Sequence, residues 1–536
     1  MPIKWLSFVL LLLLGACISA EAQTINAASC SSTDVQTAFN SVVSSTTTVN
    51  VPAGTCTWTS QVTLIVPAGS TTLSILGAGN LTTTGGGDST VIVDSYASSN
   101  PLLLITSGPA SSTVRLAGIT FQGGSANNAK YDGTVQFNGS SQNIRADHSH
   151  FNNTTYSPAV ASSLLEFQGC TSGVVDHSIF DAPVGSVNNS VRAYNGGECY
   201  GDALGVGDQS WAHNTSLGTA NFIFVENNIF NSGAGNDCTK GGRYVWRFNT
   251  MNMTGSPPSV QTHPTGGGER ERGCRAWEIY ENTFNAVSGN YINAGFWVSS
   301  GTGVFWGNTL PSSSAGGGTG YRSVISGHEM RYDNSTYAQS APPSGWGYCG
   351  TQMGPSSWDQ NSDSTGHACI DQPGRGVGQL LVNDFPNVLN NSTGTIAWPN
   401  QAKEPIYEWA DAYSPVPSNP SGIWAEAEPG LVVQNRDYYL GTTDSGTPIT
   451  FNGTSGVGAG LLSARSSTCT TGVGYWATDQ GSWNRSGSGG QGELFVCSTT
   501  NTWTAYYTPY TYPHPLTTGS GGATPAAPTG LQASVN

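Results

Sequence analysis

The sequence is short of charge, and of positive charge above all. Lys and Arg total 18 in 536 residues against 33 Asp and Glu, a formal net charge of -15, and only four of the 18 are lysines: Lys4, Lys130, Lys240 and Lys403. A nucleic-acid partner is not expected, because phosphate binding needs a broad basic surface. Scarce charge can signal disorder, but 37% hydrophobic and 10% aromatic content argues for a packed interior. Beyond Leu14 no apolar run is long enough to span a bilayer. No CxxC pair occurs, which removes the usual spacing of a structural zinc. A phosphate-binding glycine loop, a nucleophile elbow and an HExxH helix are missing too, so phosphoryl transfer, serine hydrolysis and zinc peptidase chemistry have no motif to rest on.

What is present begins with a processing segment. Residues 1–22 combine Lys4, an apolar run from Leu6 to Leu14 and small residues, and Ala20-Glu21-Ala22 fits signal-peptidase cleavage. Leu14-Gly15-Ala16-Cys17 also fits a bacterial lipobox, which would anchor the chain at the cell surface through Cys17. Secretion is expected, with lipid anchoring as the alternative. Ten cysteines follow Cys17, an even number in keeping with disulfides in an exported protein. Sequential pairing gives 30–56, 170–199, 238–274, 349–369 and 469–497.

Short apolar segments recur, each ending in a polar pair and a large apolar residue: "VRLAGITF", "IRADHSHF", "GVVDHSIF", "IFVENNIF", "YVWRFNTM", "WEIYENTF" and "GVFWGNTL". One-strand units with Asn-rich turns and irregular spacing predict an all-β fold, a parallel β-solenoid whose coils bury their faces on one another. "STDVQTAFNSVV" predicts a capping helix starting at Ser32 or Thr33. With "TVNVPAGTCTW" and "TTLSILGAG" after it, the chain resembles the pectate-lyase-like, right-handed parallel β-helix superfamily over roughly residues 30–310. That resemblance implies a fold shared by lyases, hydrolases and adhesins. The expected layout is a β-helix over 23–400, a β-rich cap or appended region over 401–515 and a Gly/Pro/Ala tail over 516–536. A monomer is expected.

Aligning the repeats on their closing residue puts Ala146, Val175, Val225, Trp246, Ile279 and Phe305 in one inward column. The next column, Asp147, Asp176, Glu226, Arg247, Tyr280 and Trp306, points outward. Carboxylates stacked at about 4.8 Å repel unless a cation lies between them, and all-oxygen ligands suit Ca²⁺. The column is either a calcium site of Asp147, Asp176 and Glu226 or a solvated face with a Glu226–Arg247 ion pair. His148 and His177 follow the two aspartates; a turn-stabilising bond to backbone is expected of each.

Six of the 18 basic residues fall within 240–275: Lys240, Arg243, Arg247, Arg270, Arg272 and Arg275. A Cys238–Cys274 disulfide would draw them together. Clustered guanidinium groups suit carboxylates, and the matching extracellular ligand is an acidic polysaccharide. β-Elimination at a uronate needs its carboxylate neutralised and its C5 proton removed. Here the order of residues is similar to alginate-lyase and chondroitinase-B-like β-helix lyases: Lys240 precedes Gly242-Arg243, and His263 follows one coil later. The similarity implies catalytic Lys240, Arg247 and His263, with Arg243, Arg270, Arg272, Arg275, Tyr280 and Trp306 binding substrate. That family's Glu-x-Glu calcium motif is absent upstream of Lys240. A hydrolase built from Glu198, Asp202, Asp208 and Asp237, or a non-catalytic glycan-binding adhesin, stands as the alternative.

Overall fold

The computed structural model describes residues 22–327, 371–378 and 401–518, apart from short loop segments within these ranges. The segments 1–21 and 519–536, with Cys17, Cys349 and Cys369, lie outside the described residues. The chain is all-β, a parallel β-helix with an N-terminal capping helix, Ser32–Phe39. Ser31, one residue before the expected start, caps that helix by accepting the Asp34 N–H, and Val35, Ala38 and Phe39 turn inward to close the coil.

Each coil contributes one strand to each of three walls. One wall is a twelve-stranded sheet, the second has ten strands, and the third runs as a six-stranded and then a four-stranded sheet. Thr113–Ala117, Thr120–Gly123 and Val135–Gly139 form one such coil, and Asn143–Asp147 begins the next. Neighbouring strands pair parallel and in register, so the expected columns are real: Ala146 lies beside Val175, Val175 beside Val225, and so on through Trp246, Ile279 and Phe305.

The polar pairs that mark the repeat are the corner between the first two walls. Its first residue takes a left-handed conformation: His148, His177, Asn227, Phe248 and Glu281 have φ between 46° and 58°. Such a φ costs energy in a non-glycine residue and persists only where neighbours hold it. The next residue supplies that hold. Asn228, Asn249, Asn282 and Asn308 point inward, each side-chain N–H donating to the Oδ1 of the next coil's residue at 3.0–3.1 Å, ending on Asp411. Each amide also bonds backbone carbonyls, as Asn282 does to Trp246 and Tyr280. Behind the corner Phe121, Phe151, Phe180 and Phe230 stack inside the coil with centroids 4.6–5.6 Å apart.

The solenoid runs further than expected. After the segment 328–405 a coil resumes at Ile406–Trp409, Ala412–Ser414 and Trp424–Glu426, so the boundary at residue 400 moves to Tyr439. The signal was there in "EWADAY", where Asp411 takes the asparagine position. Val457–Gly460, Gly474–Ala477, Glu493–Thr499 and Thr502–Tyr507 then form a separate four-stranded sheet laid against the flank of the twelve-stranded wall. Four expected disulfides are present: 30–56, 170–199, 238–274 and 469–497.

Replacing Asn282 with Ala strands a backbone N–H and a neighbouring amide in the interior, and should cost about 3 kcal/mol in urea unfolding. Asn252→Ala, in the exposed asparagine row of the second wall, should cost less than about 1 kcal/mol.

Candidate functional site

The acidic column points out of the coil, as its register requires, but arginines already neutralise it. Arg115 donates to both oxygens of Asp147 at 2.7–2.8 Å, and Arg145 to both oxygens of Asp176 at 2.8–2.9 Å. Each arginine thus reaches one coil ahead, a bidentate pairing that suits a guanidinium fork. Burial by itself would raise the Asp147 carboxyl; bonds from Arg115 and His148 and the charges of both arginines reverse this and bring it to about 2. Glu226 takes Arg247 Nε at 2.7 Å and the His514 backbone N–H at 2.9 Å. Asp147, His148 and Asp176 do bring candidate metal-ligand atoms within 4.8 Å of one another. Two guanidinium groups occupy the carboxylate oxygens, however, so the residues do not fit Ca²⁺, and the repulsion that argued for calcium is relieved by protein. His148 and His177 bond their preceding carboxylates through Nδ1, at 2.7 and 2.9 Å, rather than backbone, and their rings stack 5.0 Å apart.

The basic cluster is assembled, but most of it faces protein. Arg243 is 1% exposed and Arg272 and Arg275 are 0% exposed, which keeps all three off the open surface where a polysaccharide chain was expected to lie. They hold the insertion after Tyr194 against the coil. Arg243 donates to the carbonyls of Asn214, Thr215 and Ser210, and Arg275 to that of His213. Trp211 lies against the guanidinium groups of Arg272 and Arg275, at 5.1 and 5.2 Å. Arg272 is also paired to Asp371, and Arg275 to Glu404 at 2.8 Å. The sequence places these arginines on an outer edge correctly; what covers that edge comes from 30–130 residues away. Arg270 lies in 264–271, outside the described residues.

Arg247, Tyr280 and Trp306 are corrected for a related reason. They point out of the coil but lie beneath the C-terminal sheet. Arg247 donates to the Tyr280 hydroxyl at 2.9 Å and to the carbonyls of Tyr510 and Thr511 at 2.7 and 3.0 Å. Tyr280 stacks on Trp306, and Trp476 and Trp483 close over them. Arg247 is therefore a fastening for this cover, and its guanidinium has no route to a substrate.

Lys240 and His263 are half-buried. Lys240 sits in the turn joining the third wall to the first, with φ 53° and its backbone N–H bonded to Arg272 O at 2.8 Å. The Cys238–Cys274 disulfide joins this turn to the next coil, and His263 N–H donates to Cys238 O at 2.9 Å. The Lys240 ammonium lies 5.3 Å from the centroid of the Tyr194 ring. Arg192 packs on the same ring, at 4.4 Å.

This face of the third wall was missed in the sequence. Gln136, Glu166, Arg192 and Asp237 stand side by side in successive coils, pointing outward. Arg192 reaches both acids, 3.5 Å from Glu166 and 4.0 Å from Asp237. Glu166 and Asp237 are buried, and burial raises the Glu166 carboxyl above the usual range despite Arg192 beside it. Tyr194, Gln168 and Asn138 flank the column and are half-buried. The signal available was the repeated apolar–polar–apolar triplet "VQF", "LEF", "VRA", followed by "NDC" with only its last residue apolar, a second register parallel to the first.

The cover carries its own pH dependence. Glu278 lies under it, accepting from Tyr507 Oη at 2.7 Å and Gly218 N at 2.7 Å, and burial pushes its carboxyl up to about 7. A folded-state pKa above the unfolded value of 4.5 means the folded chain binds the extra proton between the two, so stability falls as pH rises from 4.5 to 7 and levels off above. Glu278→Gln should flatten that slope relative to the parent and raise the melting temperature at pH 7.5, measured by calorimetry across pH 4–8. Compared with protein-family models, with curated proteins and with solved structures, the chain matches none.

Proposed function

We propose that this chain is an exported carbohydrate-active protein that cleaves an acidic, uronate-containing polysaccharide by β-elimination, at the third-wall face around Lys240. The observation that carries the reading is that Lys240 and Arg192 share the Tyr194 ring, which brings a half-buried ammonium together with a guanidinium that keeps 7% exposure. Elimination needs those two roles. Arg192, 3.5 Å from Glu166 and 4.0 Å from Asp237, is the group assigned to the uronate carboxylate, where its charge acidifies the C5 proton. Lys240 removes that proton, the C4–O bond breaks as the C4=C5 double bond forms, and the departing sugar oxygen takes up a proton from water. Tyr194 offers a ring for the sugar to lie on. His263 sits beside the same disulfide and fits a role in positioning this turn.

Hydrolysis is less well supported, because it needs two carboxylates that reach the substrate. Glu166 and Asp237 are buried and turned to Arg192, which suits them to orienting the arginine. Export is supported by the four disulfides and the leader-like first 22 residues.

The test is incubation of the mature protein with alginate, pectate, chondroitin, hyaluronan and glucuronan, read by ultraviolet absorbance of the unsaturated product. Absorbance should rise on at least one of them and persist with chelator, since the acidic column does not fit calcium. Lys240→Ala should lower turnover at least about 100-fold with polymer binding retained. Arg192→Gln should act mainly on KM. Reducing ends without absorbance would replace the reading with a hydrolase; glycan binding without any product would replace it with an adhesin.

A further inference from the structure

Where the chain turns from the third wall into the twelve-stranded sheet, a cavity of about 200 Å³ opens beside the insertion, lined by Thr171, Ser172, Asn195, Tyr200, Asn221 and Arg243 among others. It uses none of the residues given a role in the elimination chemistry proposed above. Two polar atoms on its lining side chains are buried without a hydrogen-bond partner, Arg243 Nε and Thr171 Oγ1. Both residues are 1% exposed.

Among the described residues no carboxylate forms an ion pair with Arg243, and Glu404 acts on it only through its charge. Its terminal nitrogens donate to the carbonyls of Asn214 and Thr215 at 2.6 Å and of Ser210 at 3.1 Å, and Tyr200 lies against the guanidinium at 4.9 Å. Burial pushes its pKa down to about 10, which still leaves it protonated at neutral pH. A buried cation whose hydrogen bonds go to carbonyl oxygens is costly, and a counter-ion within reach of the idle Nε–H relieves that cost. The other walls are fixed in advance. Asn195 is pinned between the Arg243 N–H and the Thr171 carbonyl, each at 3.0 Å, and the Cys170–Cys199 disulfide holds the rim.

We propose that this cavity is a binding site for a small oxyanion, a carboxylate or a sulfate, received by Arg243 Nε–H and the Thr171 hydroxyl. The amides and hydroxyls of Ser172, Asn195 and Asn221 give the rest of the cavity the hydrogen-bonding lining that a hydroxylated carrier of that anion would use. Guanidinium and hydroxyl donors select an oxyanion over a neutral sugar of the same size.

The experiment is titration calorimetry on the mature protein in chloride-free buffer with sodium sulfate, sodium acetate, sodium glucuronate and, as the neutral control, glucose. At least one anion should bind with 1:1 stoichiometry and glucose should not. Thr171→Val, which keeps the shape and removes the hydroxyl, should weaken that binding about fivefold or more, and Arg243→Gln should abolish it. Because Arg243 also anchors residues 210–215, circular dichroism melts accompany both variants, and Thr171→Val decides the matter if Arg243→Gln unfolds. Glucuronate binding about tenfold tighter than acetate identifies the ligand as a sugar acid, and equal affinity identifies a free ion. Failure of every anion to bind, equal binding of glucose, or affinity unchanged by Thr171→Val overturns the proposal.

Discussion

Every coil of this protein has to turn the same corner at the same height, and that requirement organises the rest. A left-handed residue followed by an inward asparagine, or by Ser149 and Ser178 in earlier coils, bends the chain between the first two walls, and that side chain accepts from the corner of the neighbouring coil. Repetition fixes register: if one coil slipped by a residue, a phenylalanine would leave the interior and a charged side chain would enter it. The buried amide chain pins the stack where apolar packing by itself would tolerate sliding. It also explains why the spacing between repeats can vary widely. Only the corner is dictated, so the opposite side is free to carry insertions such as the one after Tyr194.

Strict register has an electrostatic consequence. Identical residues stack, so acids meet acids. The protein answers with arginines displaced by two residues, which reach forward to the acid one coil ahead, and where the acids give way to Arg247 the neutralising is mutual with Glu226. Much of the scarce positive charge is spent in this way, and in fastening two added pieces: the insertion, through Arg243, Arg272 and Arg275, and the C-terminal sheet, through Arg247. A chain with few cations has placed them where carbonyls and carboxylates must be buried. Arg192 lies on the third wall and Lys240 in the turn that leaves it, and the Tyr194 ring they share is what singles out that face.

The fold was largely legible because its signal is local and repeated. The closing phenylalanines, the inward column and the outward column could be aligned from the sequence, and all three hold. Four disulfides follow from sequential pairing for the same reason, since each joins segments 26–36 residues apart in sequence. The site was harder. Outward orientation of Arg243, Arg247, Tyr280 and Trp306 is a property of strand alternation and was legible; their burial is a property of which distant segment lies over them and was not. Nothing in "RYVWR" announces that Tyr510 and Thr511 will accept from Arg247. The third-wall column was legible in principle, but its triplets are shorter and lack the Asn-rich corner that makes the first register conspicuous. The coil at residues 406–426 was overlooked because a long segment separates it from the rest and aspartate replaces the asparagine.

The central claim is that the clustered arginines hold the molecule together while the Lys240–Arg192 face meets the ligand. Hydrogen–deuterium exchange of the mature protein with and without a uronate oligosaccharide tests this directly. The account predicts slowed exchange at residues 189–195 and 236–242 and no change at 208–215 and 505–517. Protection confined to the latter two segments, under the insertion and the C-terminal cover, would contradict it.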